Sequence, residues 1–61
     1  MFDLRSIRKQ KGMTLKQLAA STDLSESYIS LIENMERRPS VDAAKRIAEV
    51  LEFHWIQFFD K

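Results

Sequence analysis

The sequence predicts an all-α fold, a compact bundle of five short helices containing a helix-turn-helix. Three observations lead there. Residues suited to helix N-caps stand ahead of the apolar-periodic stretches, at Asp3, Thr14, Ser25 and Ser40. Nowhere do four or more residues alternate apolar and polar as a half-buried strand requires. The stretches between predicted helices are only two to six residues long, which leaves no room for a separate layer.

Helix one runs roughly from Asp3 to Lys11. Asp3 caps it, Phe2 and Ile7 staple its entry, and Gly12, the only glycine, stops it in the left-handed conformation. Helix two spans 15–21. Thr14 and Gln17 form a capping box, and Met13 with Leu18 repeats the staple. Only Thr22, Asp23 and Leu24 separate it from the Ser25 cap, so the next helix must cross it steeply. Helix three, 26–34, turns Ile29 and Ile32 inward and leaves Glu26, Ser27, Ser30 and Leu31 on its other side.

A polar connection from Met35 to Pro39 leads to the Ser40 cap, with Asp42 in the first turn where the helix dipole favours negative charge. Helix four spans Val41 to Leu51 and is expected to bury Val41, Ala44, Ile47, Ala48 and Leu51. The last segment, Phe53 to Phe59, is too short to stand alone and must dock Trp55, Phe58 or Phe59.

With 61 residues the chain has room for one domain, expected over residues 1–61, and none for a catalytic partner domain. The chain has no cysteine, which excludes disulfides and thiolate metal sites. Its lone His54 has no second histidine or carboxylate pair beside it, so no metal, cofactor or catalytic group is expected. The sequence lacks a secretory signal and an apolar run near the ~20 residues of a membrane span, and a cytoplasmic protein is expected. The net charge of +1 is unevenly spread. Residues 1–17 hold Arg5, Arg8, Lys9, Lys11 and Lys16 against Asp3, whereas 23–36 hold Asp23, Glu26, Glu33 and Glu36 and no cation. A polyanion would therefore be met by the flanks of helix three, with the helix itself supplying selectivity.

The chain resembles the helix-turn-helix domain of phage repressors and Cro-like bacterial (XRE-type) regulators. The matching residues are Arg5, Ile7, Arg8 and Gly12, then Thr14, Leu18 and Ala19. Next come Leu24 and Ser25, the run Tyr28-Ile29-Ser30 with Ile32-Glu33-Asn34, and Pro39-Ser40, Ile47, Ala48 and Leu51. The likeness covers about residues 4–59. It implies a lambda-repressor-like fold, duplex DNA bound in the major groove by helix three, and a homodimer on a two-fold operator. It also implies a partly buried ion pair between Arg8 and Glu33, and phosphate contacts from Tyr28 and Asn34.

Glu26, Ser27, Ser30 and Leu31 are the candidate base contacts. A carboxylate can accept from cytosine N4, a hydroxyl can serve either way, and Leu31 could touch thymine methyls. Thr14, Lys16, Ser25 and Arg37 join Tyr28 and Asn34 as candidate phosphate contacts, because caps and cations on both sides of helix three suit a tracked backbone. Some positions depart from the family. Glycine is usual where Asp23, Met35 and Glu52 stand, so those turns either hold strain or take another path. Leu15 stands where glutamine is common, and Glu26 and Leu31 where Arg or Gln is frequent. These departures keep open an alternative, a protein-interaction module that holds a protein partner through Tyr28, Leu31 and the acidic side of helix three.

Overall fold

The computed structural model describes residues 2–59. Helix α1 (Leu4–Gln10) starts from Asp3, whose carboxylate accepts the Ser6 hydroxyl at 2.9 Å and the Ser6 amide at 3.3 Å. Those bonds favour the charged form and hold the carboxyl below its usual pKa. Gly12, at φ 70°, ends α1, and the Gly12 and Met13 amides close the turn on the carbonyls of Lys9 and Arg8.

Helix α2 (Leu15–Thr22) opens with both bonds of a capping box, Gln17 N–H to Thr14 Oγ1 at 3.0 Å and Thr14 N–H to Gln17 Oε1 at 2.8 Å. Helix α3 (Glu26–Glu33) begins at Ser25, which accepts the Tyr28 amide at 3.0 Å. Helix α4 (Val41–Leu51) begins at Ser40, which accepts the Ala43 amide at 3.1 Å.

The described residues form four α-helices where five were expected. Trp55–Phe58 is a single 3₁₀ turn, in which the Gln57 and Phe59 amides bond three residues back to His54 and Ile56, while His54 Nδ1 accepts the Ile56 amide at 3.3 Å. Four residues are too few for a run of i→i−4 bonds, so the tighter turn forms. It is held by docking: the rings of Phe2, Phe53 and Phe58 meet pairwise, with centroids 4.9–5.4 Å apart.

The core joins Leu4 of α1, Leu18 and Ala19 of α2, Ile29 and Ile32 of α3, and Ile47 and Leu51 of α4. Ala43, Ala44 and Ala48 are also buried on α4, which lies against α2 and the 3₁₀ turn. Val41 corrects the expected stripe, since it is 50% exposed and Ala43 takes an inward place instead. Helical side chains lean back over the preceding turn, and the first residue of α4 has no such turn to cover.

A single ionic knot ties α1 to α3. The Arg8 guanidinium meets the Glu33 carboxylate at two points, Nε to Oε2 at 2.7 Å and Nη2 to Oε1 at 3.2 Å, and donates from Nη1 to the Met13 carbonyl at 2.9 Å. The two side chains are only 11% and 3% exposed. The bond to Glu33 raises the Arg8 pKa above its ordinary value against the opposing pull of burial. Arg5, one turn earlier on the same side of α1, adds a contact to Glu33 Oε1 at 3.2 Å and donates to the Asn34 side-chain oxygen.

Three residues other than glycine sit in the left-handed region, Asp23 (φ 59°), Met35 (φ 62°) and Glu52 (φ 60°). These are the positions where the family resemblance places glycine, and the chain follows the strained path at each.

Two outcomes follow from this packing. Glu33→Ala strands a buried guanidinium and is expected to remove ~3–5 kcal/mol, comparable with the whole stability of so small a core. Circular dichroism should then report a largely unfolded chain at 25 °C, and a loss under ~1 kcal/mol would show that the knot carries little. Met35→Gly relieves left-handed strain of ~1–2 kcal/mol against a gain in unfolded-chain entropy of ~0.5–1, so a net stabilisation of about 0.5–1 kcal/mol is expected from urea midpoints.

Candidate nucleic-acid interface

The inward stripe of Ile29 and Ile32 fixes which side of α3 faces out. On that outer side Glu26, Ser27 and Leu31 are exposed and Ser30 is half-buried, so all four base-contact candidates lie on one accessible face. The Asp23 turn and the Ser25 cap set α3 close behind α2 and leave an open cleft between them, lined in part by Lys16, Asp23, Ser25 and Glu26. Lys16 stands in the first turn of α2, beside the Thr14 cap, and forms no ion pair among the described residues.

On the far side of the same face, the phosphate candidates belong to a built cluster. The Tyr28 hydroxyl accepts the Ser40 amide at 3.1 Å, spanning from the middle of α3 to the cap of α4. The Arg37 guanidinium lies over the Tyr28 ring, 5.4 Å from its centroid. The strap between them is pinned at its start, where the Glu36 and Arg37 amides both reach the Leu31 carbonyl at 2.9 and 3.2 Å. Tyr28 keeps its hydroxyl proton to donate, and Asn34, whose oxygen is held by Arg5, keeps both amide protons.

Much of the positive surplus at the start of the chain is paired within the chain. Arg5 and Arg8 serve Glu33, and Lys11 meets Glu52 at 2.7 Å, a contact that lowers the Glu52 carboxyl below its usual pKa. Lys9 and Lys16 remain uncommitted among the described residues, with Arg37 and Arg38 stacked on aromatic faces nearby. The sequence reading missed the link from Tyr28 to Ser40, for which the chain carries no local signal. It also missed Arg5 as the second cation on Glu33, although the i, i+3 spacing from Arg8 points both side chains the same way. No grouping of three or more His, Asp or Glu suited to a metal occurs among the described residues.

Helices α2 and α3, packed together and each capped at its start, form a two-helix unit that exposes the outer side of the second. A family model described as helix-turn-helix covers residues 4–56. The chain belongs to the XRE-type helix-turn-helix family.

Among relatives in Bacillus subtilis, the uncharacterised HTH-type transcriptional regulator YqaF is 39% identical over 57 residues, covering 93% of this chain and 75% of its own. The HTH-type transcriptional regulator SlrR is 38% identical over 58 residues, again 93% of this chain but 38% of the relative. The solved N-terminal DNA-binding domain of SinR superposes with a TM-score of 0.85 at 29% identity, over 95% of this chain and 86% of that one. A structure of SinR with SinI matches equally well over 57% of its chain. The chain therefore spans most of YqaF and of the SinR domain, and much less than half of SlrR. No helix among the described residues is long and apolar enough to cross a membrane.

Tyr28→Phe keeps the ring and its Arg37 stack while removing the acceptor for the Ser40 amide. A loss of about 0.5–1.5 kcal/mol is expected in urea unfolding. An unchanged midpoint would mean that water replaces the hydroxyl without cost.

Proposed function

We propose that residues 1–61 form the DNA-binding domain of a sequence-specific transcriptional regulator, a repressor that inserts α3 into the major groove of a two-fold operator. The observation that carries this reading is the exposed outer side of α3, with Lys16 lining the cleft beside its first turn and Arg37 lying over the Tyr28 ring. α2 crosses the backbone with its capped N-terminus and Lys16 toward one phosphate run. Arg37, Asn34 and the Tyr28 hydroxyl face the next run. Between them Ser27 and Ser30 offer hydroxyls, Glu26 accepts from cytosine N4, and Leu31 lies against a thymine methyl.

Affinity then comes from a handful of phosphates and is strongly dependent on salt. The test is a titration of the chain on duplex DNA from its own upstream region across a salt series. Each neutralised phosphate contributes a log-log slope of ~0.9. Lys16→Ala and Arg37→Ala are expected to weaken binding on all sequences alike and to lower the slope by about 1 each, while Ser27→Ala or Glu26→Gln shifts base preference by ~1–3 kcal/mol at one position. A slope near zero for the unaltered chain would falsify this reading.

A second reading rests on the charge of the same face. Glu26 opens α3, Leu31 is an exposed apolar residue beside it, and SinR has been solved in complex with SinI. A protein partner could occupy that face in place of DNA. In the same titration Glu26→Lys separates the two, since it raises nonspecific DNA binding while a basic protein ligand is lost.

A further inference from the structure

The ionic knot between α1 and α3 does not balance in charge. Two guanidiniums, Arg5 and Arg8, meet the single Glu33 carboxylate, so one positive charge is in surplus. The surplus reaches the surface at Arg5, whose side chain is 46% exposed where that of Arg8 is 11%. Asp3, the one acid in residues 1–17, gives its oxygens to Ser6 and stands beyond ion-pair distance from Arg5. Arg5 engages Glu33 through Nε and the Asn34 oxygen through Nη2, which leaves Nη1 without a partner among the described residues. Lys9, four residues on along the same side of α1, is exposed and also unpaired among them.

The contact with Arg5 fixes Asn34 as well. A guanidinium only donates, so the Asn34 atom that faces it is the oxygen, and the amide nitrogen with its two protons is turned away. Asn34 caps the C-terminal end of α3, where the helix dipole is negative and a neutral amide by itself is a poor ligand for an anion. The Arg5 charge reverses the sign at that place.

We infer that Arg5 and Asn34 form one phosphate site, in which Arg5 supplies the charge through its free Nη1 and holds the Asn34 amide ready to donate beside it. This deepens the DNA-binding reading and rests on it for the source of the phosphate, a backbone diester of the duplex. It brings α1 to the DNA as a third element, beside α2 and the strap after α3. An exposed side chain at a helix end ordinarily loses rotamer freedom on binding, and here the Arg5 bond has already removed part of it. A planar fork holds a carboxylate and an amide together. An ammonium at the same position carries the charge without that geometry.

The experiment is a salt-series titration on upstream duplex DNA with Arg5→Ala, Arg5→Lys, Asn34→Ala and the Arg5→Lys, Asn34→Ala double variant. Arg8 keeps both bonds to Glu33 in all four, and urea midpoints establish that each chain is folded under the binding conditions. Arg5→Ala should lower the log-log slope by about 1. Arg5→Lys should keep the slope and still weaken binding about three- to tenfold, as should Asn34→Ala. The double variant should bind no more weakly than either of these two singles, because both remove the same contact.

In the free chain, inorganic phosphate added at constant ionic strength should shift the Asn34 side-chain amide signals of the parent and not those of Arg5→Ala. An unchanged slope in Arg5→Ala, additive losses in the double variant, or Asn34 signals that ignore both phosphate and the Arg5 substitutions would overturn the inference. Should the parent chain fail to bind duplex DNA, the DNA reading falls, and the phosphate titration alone decides whether Arg5 and Asn34 act as one site.

Discussion

The burial of the Glu33 carboxylate is the constraint on which the other features depend. A charge removed from water must be met by opposite charge and by hydrogen bonds at close range, or the fold loses more than its small core can supply. Arg8 meets it edge-on with two nitrogens, Arg5 adds a third, and the remaining Arg8 nitrogen is satisfied by the Met13 carbonyl. Because a guanidinium is flat and its donors are fixed in a fork, this arrangement holds the angle and axial position of α1 against α3 more tightly than apolar contact alone. It also anchors the last turn of α3, and through Arg5 it holds the Asn34 amide in one orientation. Helix α3 is therefore clamped at its end by charge and at its centre by Ile29 and Ile32.

That use of charge decides how the surface can work. Cations at the start of the chain would have made a strong nonspecific field, yet Arg5, Arg8 and Lys11 are paired with acids of the same chain. Arg37, Arg38 and Lys45 lie over aromatic rings, which hold a cation in place while leaving its donors outward. Glu26 at the head of α3 opposes any approach of phosphate along the helix axis. What remains is modest attraction at the flanks and a polar face between them. On the proposed DNA-binding reading such a surface favours discrimination over raw affinity, because a misplaced carboxylate penalises wrong sequences as strongly as good contacts reward right ones.

Much of this was legible in the sequence for a physical reason: caps, staples and left-handed stops are local chemistry. Asp3, Thr14, Ser25 and Ser40 each cap the helix that their side chains suggested, and Gly12 ends α1 as its missing Cβ allows. Exposure of Glu26, Ser27 and Leu31 followed from the positions of Ile29 and Ile32. The misses are tertiary or terminal. Val41 fits the apolar period of α4 but has no neighbour above it, and Trp55–Phe58 has the composition of a helix without the length. The Tyr28 bond to Ser40 joins residues whose proximity depends on how α3 and α4 are set by everything between them.

The three left-handed turns show how a short chain can bear strain unequally. Asp23 stands where its small polar side chain tolerates the conformation, and Leu24 N–H bonding to the Ala19 carbonyl closes the turn. Glu52 is held by its contact with Lys11, which stabilises the carboxylate. Because the folded pKa is the lower one, that support is present above the ordinary carboxylate value and fades as pH falls through the folded one. Met35 has neither a polar side chain nor an ionic partner, and its turn is closed only by backbone bonds from Met35 to Ile32 and from Glu36 to Leu31. Two of the three are thus compensated by their own side chains within the chain. The third leaves an apolar side chain in water on a strained backbone, a combination that stability alone disfavours twice.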